Sequence, residues 1–177
     1  NANRNFTAQS KGIVTASFDF LEYGDNNKIG SAEFILRGTN ADNELIEMVK
    51  VIAERDQTFK IGDKSIGDLV LDMDVWYNVS IELNFFTGKA KVSVYPYTEY
   101  DSTEGKYILS ENGAEAETDF DKSYSLRGIR FVRNGGTMKY YDNVSVSAER
   151  NESYVKENNG KMDVFAMEDA KMYVAWY

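Results

Sequence analysis

Polar and apolar residues alternate along most of this chain with a period of two. Over residues 13–21, Ala16, Phe18 and Phe20 fall on one side and Thr15, Ser17 and Asp19 on the other. Over 31–37, Ala32, Phe34 and Leu36 oppose Glu33, Ile35 and Arg37. Successive side chains of a strand point to opposite faces, so this is the pattern of strands with one face against a core. Further strands are predicted over 45–53, 58–61, 107–109, 126–133 and 138–148, between loops rich in Gly, Asn and Asp. Helical periodicity is almost absent. Roughly eight to ten strands before residue 150 predict an all-β fold, a two-sheet antiparallel β-sandwich of the jelly-roll type.

The strongest element is a hairpin over 75–97. Thr87-Gly88 reads as its two-residue turn, with Gly88 free to take positive φ. That turn would pair Leu83 with Val92, Ile81 with Val94 and Val79 with Pro96, giving one apolar face. The opposite face would carry Asn78, Ser80, Glu82, Asn84, Lys91, Ser93, Tyr95 and Tyr97. A slip of one residue would bury Glu82 and Lys91, so the register is strongly specified. Pro96, the single proline, belongs at a strand end or edge.

Residues 98–105 and 110–121 are polar and acidic and read as loops. Residues 151–163 read as a linker or long loop, with short strands expected over 164–166 and 172–177 and a helix over 167–174 as the lesser alternative. The chain therefore divides into a sandwich over 1–150 and, over 151–177, a C-terminal extension or the start of a following domain.

Composition narrows the function. A net charge of −9 argues against nucleic acid and anionic membrane as partners. With no His there is no imidazole base and no His-based zinc site, and with no Cys there is no thiolate or disulfide. No apolar run is long enough to insert in a membrane. Twelve Tyr and ten Phe suit strand packing first, and also suit sugar-binding faces built from flat rings.

The run Asp74-Val75-Trp76-Tyr77-Asn78-Val79-Ser80-Ile81-Glu82-Leu83 and the return Phe86-Thr87-Gly88-Lys89-Ala90-Lys91-Val92-Ser93-Val94 resemble the concanavalin A-like lectin/glucanase superfamily. Phe18-Asp19-Phe20 and Tyr141-Asp142-Asn143-Val144-Ser145-Val146 are similar to it as well, and the likeness covers residues 11–149. The resemblance implies a lectin-like jelly roll of the laminin-G or bacterial carbohydrate-binding kind, secreted or at the cell surface. The glucanase branch carries catalysis on a Glu-x-Asp-x-x-Glu strand, which this sequence lacks; Asp72-Met73-Asp74 is the nearest run.

The polar face of the hairpin is the first expected binding surface. Its members are Trp76, Asn78, Glu82, Lys91, Tyr95 and Tyr97, with Trp76 open to a core role instead. Residues 97–101, including Tyr100, form a second surface with Tyr107. Sugars present an apolar face and a rim of hydroxyls, which rings and planar polar groups recognise. A structural calcium is a further expectation, with Asp25 and Asp142 as ligands beside Asn26, Asn27 and Asn143; ordinary turn chemistry is the heavier reading. Arg130 with Lys89 and Lys91 is a third, basic surface suited to uronic acids.

The expected function is a non-catalytic carbohydrate-binding module of a larger bacterial protein, with polysaccharide or another glycan as partner and neighbouring domains linked to it. The alternatives are a structural or adhesive spacer, and a glycoside hydrolase or polysaccharide lyase working without His.

Overall fold

The computed structural model describes residues 2–24 and 30–149, and the backbone of 154–158 and 161–165. The alternating segments form two six-stranded antiparallel sheets whose apolar faces close on each other. The first sheet runs β1 (Ala2–Gln9), β11 (Ser125–Asn134), β3 (Ser31–Thr39), β4 (Leu45–Ala53), β5 (Thr58–Ile61) and β6 (Lys64–Val70). The second runs β10 (Ala114–Asp119), β8 (Lys89–Asp101), β7 (Trp76–Asn84), β2 (Ile13–Tyr23) and β12 (Met138–Glu149), with β9 (Lys106–Leu109) pairing to the end of β8. Four pairings, β1–β11, β11–β3, β7–β2 and β2–β12, join strands distant in sequence, so the chain crosses repeatedly between sheets. A separate hairpin joins β13 (Tyr154–Asn158) to β14 (Lys161–Phe165).

The core lies where the alternation places it. Phe18, Phe20, Phe34, Val51, Phe59, Tyr77, Val79, Ile81, Leu83, Val92 and Val94 are buried. Rings from both sheets interlock: Phe18 lies 4.8 Å from Phe34, and Phe131 lies 4.6 Å from Tyr141 between centroids. One end of the core is closed by a buried ion pair between Glu22 of β2 and Lys139 of β12, with Thr137 donating to the same carboxylate. Lys139 Nζ also reaches the Gly30 carbonyl at 3.2 Å, just before β3 of the other sheet.

The hairpin of β7 and β8 keeps its predicted faces but not its predicted register. Leu83 pairs with Ala90, Ile81 with Val92, Val79 with Val94 and Tyr77 with Pro96. The turn spans four residues rather than two. Asn84 Oδ1 accepts from the amides of Phe86 and Thr87 at 3.0 and 3.1 Å, and Gly88, at φ +74°, returns its amide to the Asn84 carbonyl. Phe85 is thereby folded inward onto Phe120 at 5.2 Å. The displacement is by two positions, so every side chain keeps its face. Glu82 now opposes Lys91 directly.

Three strands lie where strands were not expected. β1 and β6 are edge strands of the first sheet, and β10 replaces part of the acidic loop predicted over 110–121. In β10, Ala114 and Ala116 pack against the core, while Glu115 and Asp119 bind Lys91 and Lys89 at 2.7 and 2.6 Å. Ala and Glu are poor strand formers, so pairing and packing, not propensity, set this element. Beyond residue 149, β13 and most of β14 fall in the stretch expected to be a loop; the strand expected over 172–177 and the alternative helix lie outside the described residues.

Candidate binding cleft

A cleft of about 510 Å³ opens on the outward face of the second sheet, lined by Asp19, Trp76, Tyr97, Gly105, Lys106, Tyr107, Asp142 and Asn143. Its floor is made of paired strand positions. On β2, Asp19 stands opposite Asn78 of β7 on one side and Asp142 of β12 on the other, and Leu21 stands opposite Trp76. Its lip is the ribbon of β8 and β9, which extends past the rest of the sheet and contributes Gly105, Lys106 and Tyr107.

Asp19 organises the floor. It is almost wholly buried, yet it points away from the core because its neighbours Phe18 and Phe20 take the inward positions. Its Oδ1 accepts from Asn78 Nδ2 at 2.9 Å and from the Tyr97 hydroxyl at 2.8 Å, and its Oδ2 accepts from Asn143 Nδ2 at 2.6 Å. Three neutral donors thus hold one carboxylate. Asn143 reaches it through an irregularity in the β12 register between Asp142 and Ser145, where Asn143 takes φ +50°. A bulge of this kind re-aims a side chain, and Asn tolerates the left-handed conformation better than most residues.

Burial, with the Asp19 carboxylate beside it, pushes the Tyr97 phenol up to about 12. Tyr97 is therefore a protonated donor at physiological pH and not a base. Its ring stands 5.8 Å from that of Tyr107, which stands 5.0 Å from Tyr100. Trp76 is half-buried and presents its indole to the cleft instead of the core. Lys106 is ion-paired with Glu104 on the lip.

The structure thus brings together Trp76, Asn78 and Tyr97 from the first expected surface, and Tyr107 with Tyr100 from the second. It separates Glu82, Lys91 and Tyr95 from them. Lys91 and the Tyr95 hydroxyl are both bound to Glu115 of β10, at 2.7 and 3.1 Å, and the Tyr95 ring lies flush against Gly113, where an added Cβ would fall 2.0 Å from it. The hydrogen bond to Glu115 raises the Tyr95 phenol, and Lys91 holds the Glu115 carboxyl below its ordinary value. The expected basic surface also divides: Arg130 is on β11 of the first sheet, and Lys89 and Lys91 are on β8 of the second, each with an acidic partner. Asp19, Lys106 and Gly105 were absent from the expected sites. The outward position of Asp19 was legible in the alternation, but its place beneath Tyr97 depends on the pairing of four strands.

Asp142 and Asn143 stand in the cleft; Asp25, Asn26 and Asn27 lie outside the described residues. Among the described residues, no group of three or more acidic side chains is disposed to hold a metal ion. Asp19 is already ringed by N–H and O–H donors, an arrangement suited to a hydrogen-bonded carboxylate rather than to a cation ligand.

Comparison with solved structures identifies the architecture. A sialidase matches over 84% of this chain at a TM-score of 0.55 and 15% identity. The chain has an antiparallel two-sheet fold of the jelly-roll type. The match covers 14% of the sialidase chain. Lectin II from Ulex europaeus matches 76% of this jelly roll, at 12% identity, TM-score 0.45 and 70% of its own length. A family 7 alginate lyase, solved in complex with substrate, matches 82% at 16% identity and TM-score 0.45, over 64% of its own length. No family model matches the jelly roll's sequence, and no curated protein does.

The expectation that the chain is not an enzyme is corrected here: the fold shared with the sialidase decides neither for nor against catalysis. The missing Glu-x-Asp-x-x-Glu motif excludes one arrangement of catalytic carboxylates, not every chemistry that the jelly roll can carry.

Proposed function

We propose that the cleft over Asp19 binds a glycan. The observation that carries this reading is the juxtaposition of flat rings, Trp76, Tyr97 and Tyr107, with fixed polar groups, Asp19, Asp142 and Asn143, in one preformed depression. Rings stack on the apolar face of a sugar, and carboxylate and amide groups bond to its hydroxyl rim. The floor is preorganised, because Asp19 fixes Asn78, Tyr97 and Asn143 before any ligand arrives, and preorganisation lowers the entropy lost on binding.

The test is a glycan array followed by calorimetry on the best ligand. Replacing Trp76 by Ala is expected to weaken binding by roughly 2 kcal/mol, about thirtyfold in Kd. Tyr95→Ala, outside the cleft, should leave affinity within about twofold. Equal affinity of wild type and Trp76→Ala would move the site elsewhere.

A second reading has its own observation. Asp19 and Asp142 oppose each other on neighbouring strands and line the same cleft. Paired carboxylates are the machinery of glycoside hydrolysis. Asp19 is held in place by three N–H and O–H donors, whereas Asp142 is exposed. A reducing-sugar assay on the bound glycan decides between turnover and binding alone.

A further inference from the structure

The fixed charges of the cleft are unbalanced. Asp19 and Asp142 both line it, side by side on adjacent strands. Among the described residues its one lining cation, Lys106, is engaged by Glu104. The other lysines on the outward face of β8, Lys89 and Lys91, are held by Asp119 and Glu115 toward the β10 edge. Among the described residues, Asp142 Oδ1 accepts the neighbouring Asn143 amide at 2.8 Å and no other donor, so the exposed carboxylate retains acceptor capacity. Hydroxyl groups satisfy such an acceptor, and a second carboxylate does not. The net charge of −9 adds a long-range repulsion of the same sign.

The rings have a direction as well. Tyr97 lies in the cleft, Tyr107 on its lip and Tyr100 beyond it, with ring centroids 5.8 Å apart from Tyr97 to Tyr107 and 5.0 Å from Tyr107 to Tyr100. Tyr107 and Tyr100 are 58% and 55% exposed, so their paired rings are open to a ligand. The row leads from the floor outward along the β8–β9 ribbon.

We propose that the cleft takes an uncharged linear glycan, which leaves it along the Tyr97–Tyr107–Tyr100 row, and that it discriminates against polymers of uronic acids. The proposal rests on the reading of the cleft as a glycan site. A neutral chain donates hydroxyls to Asp142 and lays successive rings on the tyrosines. A uronate chain brings a carboxylate on every residue into a site already holding two.

Isothermal calorimetry with defined hexasaccharides tests it, using neutral β-1,4-glucan, β-1,3-glucan, xylan and mannan series against guluronate, mannuronate and galacturonate series, in about 0.15 M salt where screening acts beyond roughly 8 Å. At least one neutral hexamer is expected to bind tenfold or more tightly than any uronate hexamer. Asp142→Asn should narrow that gap. Tyr100→Ala should weaken the preferred hexamer about fivefold and its trimer less than twofold. A uronate that binds as tightly as any neutral sugar, and loses affinity in Trp76→Ala, overturns the charge assignment while leaving the cleft a glycan site. An unchanged gap in Asp142→Asn also overturns it. Equal loss of hexamer and trimer binding in Tyr100→Ala overturns the direction. Absence of binding to every member of the panel removes both this proposal and the reading beneath it.

Discussion

At the scale of single residues, Tyr97 links the site to the stability of the chain. Its phenol is pushed up to about 12, and that of Tyr141, buried in the core near Glu22, likewise to about 12. An unfolded tyrosine ionises near 10. The folded state therefore keeps these protons longer, and their contribution is full below about pH 10 and declines as pH rises through 12. Urea midpoints measured from about pH 9 to 11.5 should fall more steeply in wild type than in Tyr97→Phe. Parallel slopes would remove Tyr97 from the linkage. Part of this was legible in the sequence: Tyr97 and Trp76 fall on the outward parity of their strands, as Asp19 does on its own. What no single strand discloses is that Asp19, Asn78, Tyr97 and Asn143, spread over 124 positions from Asp19 to Asn143, meet at one carboxylate. Asn143 also needs a register irregularity that strict alternation would not produce.

At the scale of elements, the hairpin of β7 and β8 shows what a two-residue period fixes and leaves open. The apolar alternation determined which face is core. It did not determine which residue opposes which, because a shift by two satisfies it equally well. The side chain of Asn84 decided the matter by capping the amides of Phe86 and Thr87. Deleting two residues of the 85–88 turn and rebuilding it as Asn-Gly should therefore preserve the fold, with a loss of a few kcal/mol from removing the Phe85–Phe120 contact. Deleting one residue should invert a face of β8 and abolish cooperative unfolding, as followed by circular dichroism and urea titration. β10 was illegible for a different reason: Ala114 and Ala116 carry too little apolar surface to mark a strand, and Asp119 and Glu115 are ordered by Lys89 and Lys91, the first and third residues of β8.

At the scale of the molecule, two sheets are clasped at one end by Glu22, Lys139 and Thr137, with Lys139 reaching the Gly30 carbonyl that leads into the opposite sheet. Both charged side chains are 1% exposed, and burial lowers the Lys139 ammonium pKa despite Glu22 beside it. Removing one partner leaves an uncompensated charge in the interior, which costs about 3–5 kcal/mol, whereas removing both often costs far less. Lys139→Met is expected to lose stability in that range, and Glu22→Gln with Lys139→Met to recover much of it. Additive losses in equilibrium unfolding would show that the pair does not act as a unit.

The β8–β9 ribbon and the β2 floor differ in what they are free to become. Asp19 is flanked in sequence by Phe18 and Phe20, which are among the largest fully buried side chains of the core. Any change of backbone beneath the ligand is transmitted straight into the packing of both sheets. Residues 106–109 are exposed throughout and pair only with β8. New ligand preferences are accordingly accessible by rewriting the lip, one exposed side chain at a time, against a floor that folding itself holds constant.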